Sequence, residues 1–114
     1  MAGVVKVPWY ATGFRADGLA DALAEVAAAS LRYGALRYDV HRSTEDRYRF
    51  MQSAVFENKI DWERYWYGPE MVAFRMRHQG WFQVPIVYEW HEVVAEGAVV
   101  PPEAIEREVP SYRS

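Results

Sequence analysis

The sequence predicts an α+β domain of the ferredoxin-like kind, with the order strand, helix, hairpin, helix, strand. Three observations lead there. Residues 17–33 repeat apolar side chains at three- and four-residue spacing. Residues 35–57 form two short alternating runs split by a polar turn. Residues 59–78 return to helical spacing before a last alternating run at 84–94. The simplest closure is a four-stranded antiparallel sheet with both helices on one face.

Each element has its own signal. Residues 4–11 read Val-Val-Lys-Val-Pro-Trp-Tyr-Ala, which is β-branched and aromatic. Pro8 has no amide proton, so it points to an edge position or a bulge. In the first helix Leu19, Leu23, Val26, Ala27, Ser30 and Leu31 form one stripe. Asp17 is the expected cap at its start, and Gly34 the left-handed stop at its end. In the next strand Leu36, Tyr38 and Val40 face one way, and Arg37, Asp39 and His41 the other. The third strand puts Tyr48, Phe50, Gln52, Ala54 and Phe56 on one face and Met51, Ser53 and Val55 on the opposite one. Gly68-Pro69 breaks the second helix, and Pro69 suits the first turn of a new piece. In the last strand Ile86, Tyr88 and Trp90 oppose Val87, Glu89 and His91. Residues 1–96 make the expected domain and 97–114 a tail or arm.

Two helices cover one side of a sheet, and both faces of the third strand hold apolar residues. The face with Tyr48, Phe50 and Phe56 would be a sticky patch if left in water. The expectation is a homodimer joined through sheet faces.

Composition excludes several functions. The chain has 114 residues, a formal charge of −3 and no cysteine. One domain is the natural size. No Lys/Arg run resembles a stripe that follows phosphates, so nucleic acid is not an expected partner. Thiolate metal sites and thiol nucleophiles are excluded. Residues 1–6 lack the pattern of a signal peptide and no apolar stretch is long enough to span a membrane. A cytoplasmic, membrane-free protein is the expectation. The three histidines, His41, His78 and His91, are too scattered to spell a metal site. Glycines are isolated, so no phosphate-cradling loop is present. Five Trp, eight Tyr and five Phe are many rings for one small domain. Some should line a pocket or an interface.

Gly34-Ala35-Leu36-Arg37-Tyr38-Asp39-Val40, Arg47-Tyr48-Arg49-Phe50, Val55-Phe56-Glu57 and the Gly68-Pro69-Glu70-Met71 break after Trp62 and Tyr65 carry a resemblance. Over residues 4–94 the chain resembles the antibiotic biosynthesis monooxygenases of the dimeric α+β barrel superfamily. Departures exist: Ala54-Val55-Phe56 stands where many members have Glu-x-Trp, and Tyr65 where they often carry His. Arg75 stands where haem-degrading relatives place an iron-ligating His, so haem chemistry is not expected. The resemblance implies oxidation of a phenolic, quinol or polyketide-like aromatic by O2 without a bound cofactor or metal. The expected catalytic residues, which would supply the polar contact to the substrate, are Tyr65, His91 and Arg75. The expected substrate-binding residues are Trp66, Phe50, Phe56 and Trp90, as walls, and His78. The same scaffold also suits a non-catalytic small-molecule binder or an aromatic polyketide cyclase or isomerase.

Overall fold

The computed structural model describes residues 2–100. Most of the expected tail, from residue 101 onward, lies outside the described residues. The chain forms β1 (Gly3–Tyr10), α1 (Ala16–Ala28), a 3₁₀ turn (Ala29–Tyr33), β2 (Ala35–Arg42), β3 (Arg49–Phe56), α2 (Lys59–Trp66), α3 (Pro69–Arg77) and β4 (Glu89–Glu92). The sheet has four strands in the order β2-β3-β1-β4, with all neighbours antiparallel. This is the predicted ferredoxin-like α+β arrangement.

The helical face of the sheet is set by β1 and β3. Val5, Val7 and Trp9 alternate with Val4, Lys6 and Pro8, and the first set is buried. Register pairs Val5 with Ala54, Val7 with Gln52 and Trp9 with Phe50. Residues paired across a ladder share a face. Phe50, Gln52, Ala54 and Phe56 are therefore buried under the helices. This overturns the expectation that the face of Phe50 and Phe56 waits for a second subunit. Tyr48 precedes β3, is half-buried and packs beside Tyr10. Alternation divided β3 into two faces, but only its register against β1 says which one the helices cover. The uncovered face carries Val4, Lys6, Arg37, Asp39, His41, Met51, Ser53, Val55, Glu89 and His91.

Pro8 sits in a central strand, not an edge strand, yet costs no ladder bond. The four residues of β4 pair only with Gly3 to Lys6. The chain rejoins β1 through Gln83 N–H to the Tyr10 carbonyl, 2.8 Å. Pro8 lies in the gap between these contacts. The final strand is shorter than the expected 84–94, because Pro85 interrupts that run.

α1 begins one residue early, with Arg15 at its cap and Asp17 in its first turn. There Asp17 pairs with Arg42 at 3.0 Å. Leu19 and Leu23 are fully buried, each worth about 1.5–3 kcal/mol of transfer free energy. The helix then tightens to 3₁₀ winding over Ala29–Tyr33. Three residues per turn in place of 3.6 rotates Leu31 off the stripe, and it is 51% exposed. Gly34 ends the turn at φ 105°, in the left-handed region as expected. Gly68 lets α2 and α3 meet: a Cβ there would lie 2.5 Å from the Arg64 carbonyl oxygen.

Candidate functional site

The space between helices and sheet is filled with rings. Trp9 packs against Trp66, Phe74 and Phe82 at centroid distances of 6.0, 5.5 and 5.0 Å. Phe56 meets Trp62 at 5.9 Å. Phe50 and Phe56 thus belong to the core and do not wall a cleft, a correction to the sequence reading. Both sit on inward β3 positions, where helix packing consumes them.

A buried polar relay runs through this core. Trp9 Nε1 donates to Gln52 Oε1 at 3.0 Å. Gln52 Nε2 donates to the Tyr65 hydroxyl at 3.1 Å, and that hydroxyl donates to the Val26 carbonyl at 2.7 Å. Burial pushes the Tyr65 phenol far above the ordinary tyrosine range. Tyr65, expected as a polar contact to substrate, instead ties α2 to α1 and β3.

Open space lies on the far side of Trp66. An open cleft of about 510 Å³ is lined by Trp66, Tyr67, Val72, Arg75, Met76 and Phe82, with Val84 and Ile86 along its other side. α2 ends in Trp66, and α3 returns Val72, Arg75 and Met76 at three- and four-residue spacing to one side. The Arg75 guanidinium lies over the Trp66 ring, 4.6 Å from its centroid. Its Nη2 donates to the Trp66 carbonyl at 3.0 Å. Its Nη1 is shut off from water and has no acceptor among the described residues. Burial lowers the Arg75 pKa from its usual value, but a guanidinium stays charged at any physiological pH. The site therefore offers a cation fixed against Trp66 in the lining of an apolar cleft, with one of its N–H groups buried away from the cleft's solvent.

The other expected site residues lie elsewhere. His91 stands on the uncovered sheet face, its Nε2 3.1 Å from Glu89 Oε1. It lines a broad groove of about 580 Å³ with Lys6, Asp39 and His41. Trp90 is on the helical side of the edge strand and covers Gly3, where a Cβ would lie 2.3 Å from its ring. His78 lies between α1 and α3, with Nδ1 2.9 Å from the Phe74 carbonyl oxygen and its ring 4.6 Å from that of Trp81. Of the expected set, the structure brings together only Trp66 and Arg75. The sequence reading missed Tyr67, Val72, Met76, Phe82 and the segment that carries Val84 and Ile86. Pro85 and Gly80 were the signals that this segment is a loop. Among the described residues no group of three potential metal-ligating His, Cys, Asp or Glu residues occurs and no helix is long and apolar enough to cross a membrane.

No known family model matches the sequence, and no curated protein matches it. Solved structures do resemble it. A protein of Nitrosomonas europaea ascribed to the antibiotic biosynthesis monooxygenases superposes with a TM-score of 0.74 at 17% identity, covering 82% of this chain and 90% of that one. A protein of Deinococcus radiodurans with the same ascription gives 0.73 at 14% identity, covering 89% and 100%. A cofactor-independent oxygenase from Streptomyces nogalater gives 0.70 at 14% identity, covering 83% and 95%. The chain thus has the fold of the antibiotic biosynthesis monooxygenases.

Proposed function

We propose that the protein binds a flat phenolic, quinol or polyketide-like aromatic in the Trp66–Arg75 cleft and oxidises it with O2, needing neither metal nor organic cofactor. The supporting observation is Arg75: a guanidinium held over the Trp66 ring in the lining of an apolar cleft. Apolar walls with one convergent charge suit a flat acidic ring. The guanidinium favours the anion of such a ring, so its proton passes to water at a lower pH. The anion gives one electron to O2, and the resulting radical and superoxide combine into a peroxide on carbon. Loss of water leaves a carbonyl. Overall a ring CH2 and O2 become C=O and H2O, which balances atoms and electrons. Arg75 acts by stabilising charge that develops on the ring oxygen. The likeness to a cofactor-independent oxygenase supports this reading at the level of fold.

A second reading has its own support. Among the described residues no carboxylate and no histidine lines the cleft. A site so equipped also suits a binder that performs no chemistry. Metal-free protein incubated with a panel of quinols and anthrone-like phenols, with O2 uptake and product mass recorded, decides between them. Uptake with a product one oxygen heavier and two hydrogens lighter supports oxygenation. Saturable binding with no uptake overturns it and leaves the binder.

A further inference from the structure

Trp66 begins a continuous line of oxidisable rings that leaves the cleft. Its ring stacks on Trp62 at 5.3 Å and 25°. Trp62 meets Tyr65 at 5.3 Å, and Tyr65 meets Tyr33 at 5.8 Å. The first three are buried, while Tyr33 is half-exposed. The Tyr33 hydroxyl donates to Glu70 Oε1, and Glu70 Oε2 accepts from Arg32 at 3.1 Å. The phenylalanines of the core lie beside this line and do not interrupt it.

Two charges give the line a direction. Arg75 lies against Trp66 at one end and opposes a positive hole there. At the other end Glu70, whose charge is shared with Arg32, is hydrogen-bonded to the proton an oxidised phenol must release. Among the described residues the Tyr65 hydroxyl donates to a backbone carbonyl, which does not accept its proton, so a hole does not settle there and the ring serves as the bridge between Trp62 and Tyr33. A branch to Tyr88, 5.3 Å from Trp62 and 5.5 Å from Trp66, has no carboxylate hydrogen bond at its end among the described residues.

We propose that Trp66, Trp62, Tyr65 and Tyr33 form a hole-transfer path that carries a stray oxidising equivalent from the cleft to the surface, with Glu70 as proton acceptor. For its physiological oxidant this rests on the oxygen chemistry proposed above. A substrate radical that escapes superoxide takes up a further O2 and becomes an organic peroxyl radical. At the cleft the peroxyl gains one electron from the path and one proton from water, giving a hydroperoxide. At the surface Tyr33 loses that electron and passes its proton to Glu70, leaving a neutral tyrosyl radical. A soluble thiol then returns one electron, the proton moves back from Glu70, and the thiol loses its own proton to solvent as it becomes a thiyl radical.

The chain has no cysteine, which makes a clean test available. Met76 lines the cleft and is 73% exposed. A Met76→Cys variant that also carries Tyr67→Phe, because the exposed Tyr67 lines the same cleft, carries a ruthenium polypyridyl photo-oxidant there, and flash-quench oxidation needs neither substrate nor O2. The expected result is a tyrosyl radical in transient absorption and electron paramagnetic resonance. Adding Tyr33→Phe should abolish that signal and leave a tryptophanyl radical, whereas adding Tyr88→Phe should leave the tyrosyl signal in place. Adding Glu70→Gln, which preserves an acceptor for the phenol, should slow tyrosyl formation and change its solvent isotope effect. A tyrosyl signal that survives Tyr33→Phe, or no radical beyond Trp66, overturns the path. Circular dichroism on each variant separates lost folding from lost transfer. A radical on Tyr33 in a protein that consumes no O2 with any phenol keeps the path and removes the oxygenase reading.

Discussion

Replacing Tyr65 by Phe isolates the buried relay, because it removes one oxygen and leaves the ring. That oxygen accepts from Gln52 Nε2 and donates to the Val26 carbonyl. Val26 keeps a partner, since the Ala29 N–H also reaches its carbonyl. Gln52 is 1% exposed, so its stranded amide proton finds no water. A stranded buried donor costs about 1–3 kcal/mol and the second bond about 1. The expected loss is about 2–4 kcal/mol, a large share of the roughly 5–15 kcal/mol that holds a domain together. In urea the midpoint should fall by about 1–2 M with an unchanged slope. Adding Gln52→Leu to Tyr65→Phe should cost less than the two single changes summed, because the pair shares one bond. The variant also carries a pH signature. Burial raises the Tyr65 pKa, so above about pH 10 the unfolded chain ionises there while the folded chain holds its proton. Stability then falls as pH rises, and the fall should be shallower in Tyr65→Phe. A loss below about 0.5 kcal/mol, within the range of an ordinary surface change, would refute the relay's structural role.

Acid titration reads two tyrosine–carboxylate pairs, Tyr33–Glu70 and Tyr10–Asp46. The Tyr33 hydroxyl and then Arg32 hold the Glu70 carboxyl below its usual range, and the Tyr10 hydroxyl does the same for Asp46. Depressed carboxyls add stability that is present above their unfolded pKa and lost as pH falls through the folded value. Thermal melts should drop below about pH 4, and Tyr33→Phe should flatten part of that drop. On the uncovered sheet face, we propose that a second copy packs over Val4, Met51 and Val55. Met51→Glu should then shift the species seen by analytical ultracentrifugation from dimer to monomer while circular dichroism stays unchanged. A wild-type chain that sediments as a monomer at micromolar concentration removes this expectation.

The architecture was legible because period and punctuation agree. Gly34 and Gly68-Pro69 stop or break helices where the pattern weakens, and β2 spans the residues that alternate. What eluded the sequence was the side of β3 that meets the helices. Its inward row includes Gln52, a polar residue that becomes acceptable in the core only when Trp9 and Tyr65 satisfy it. Those partners are 43 and 13 residues away in sequence, beyond what local alternation can convey. The outward row, Met51, Ser53 and Val55, reads as no more polar. The candidate site was legible only in part for a related reason. Trp66 and Arg75 sit on helices on either side of a visible break, but the wall opposite them comes from residues 82–86. An alternating run disguised that loop as strand.

The protonation state of a bound phenol probes the cleft most directly. A chromophoric phenol in the Trp66–Arg75 cleft, titrated by absorbance, should ionise about 1–3 pH units lower than in free solution, since an opposite charge lies within a few ångströms. Arg75→Met, which keeps the apolar bulk, should return its pKa to the free value while the ring still binds. A phenol that binds with its pKa unmoved in the wild-type protein, or moved equally in Arg75→Met, would contradict the claim that Arg75 prepares this cleft for an aromatic anion.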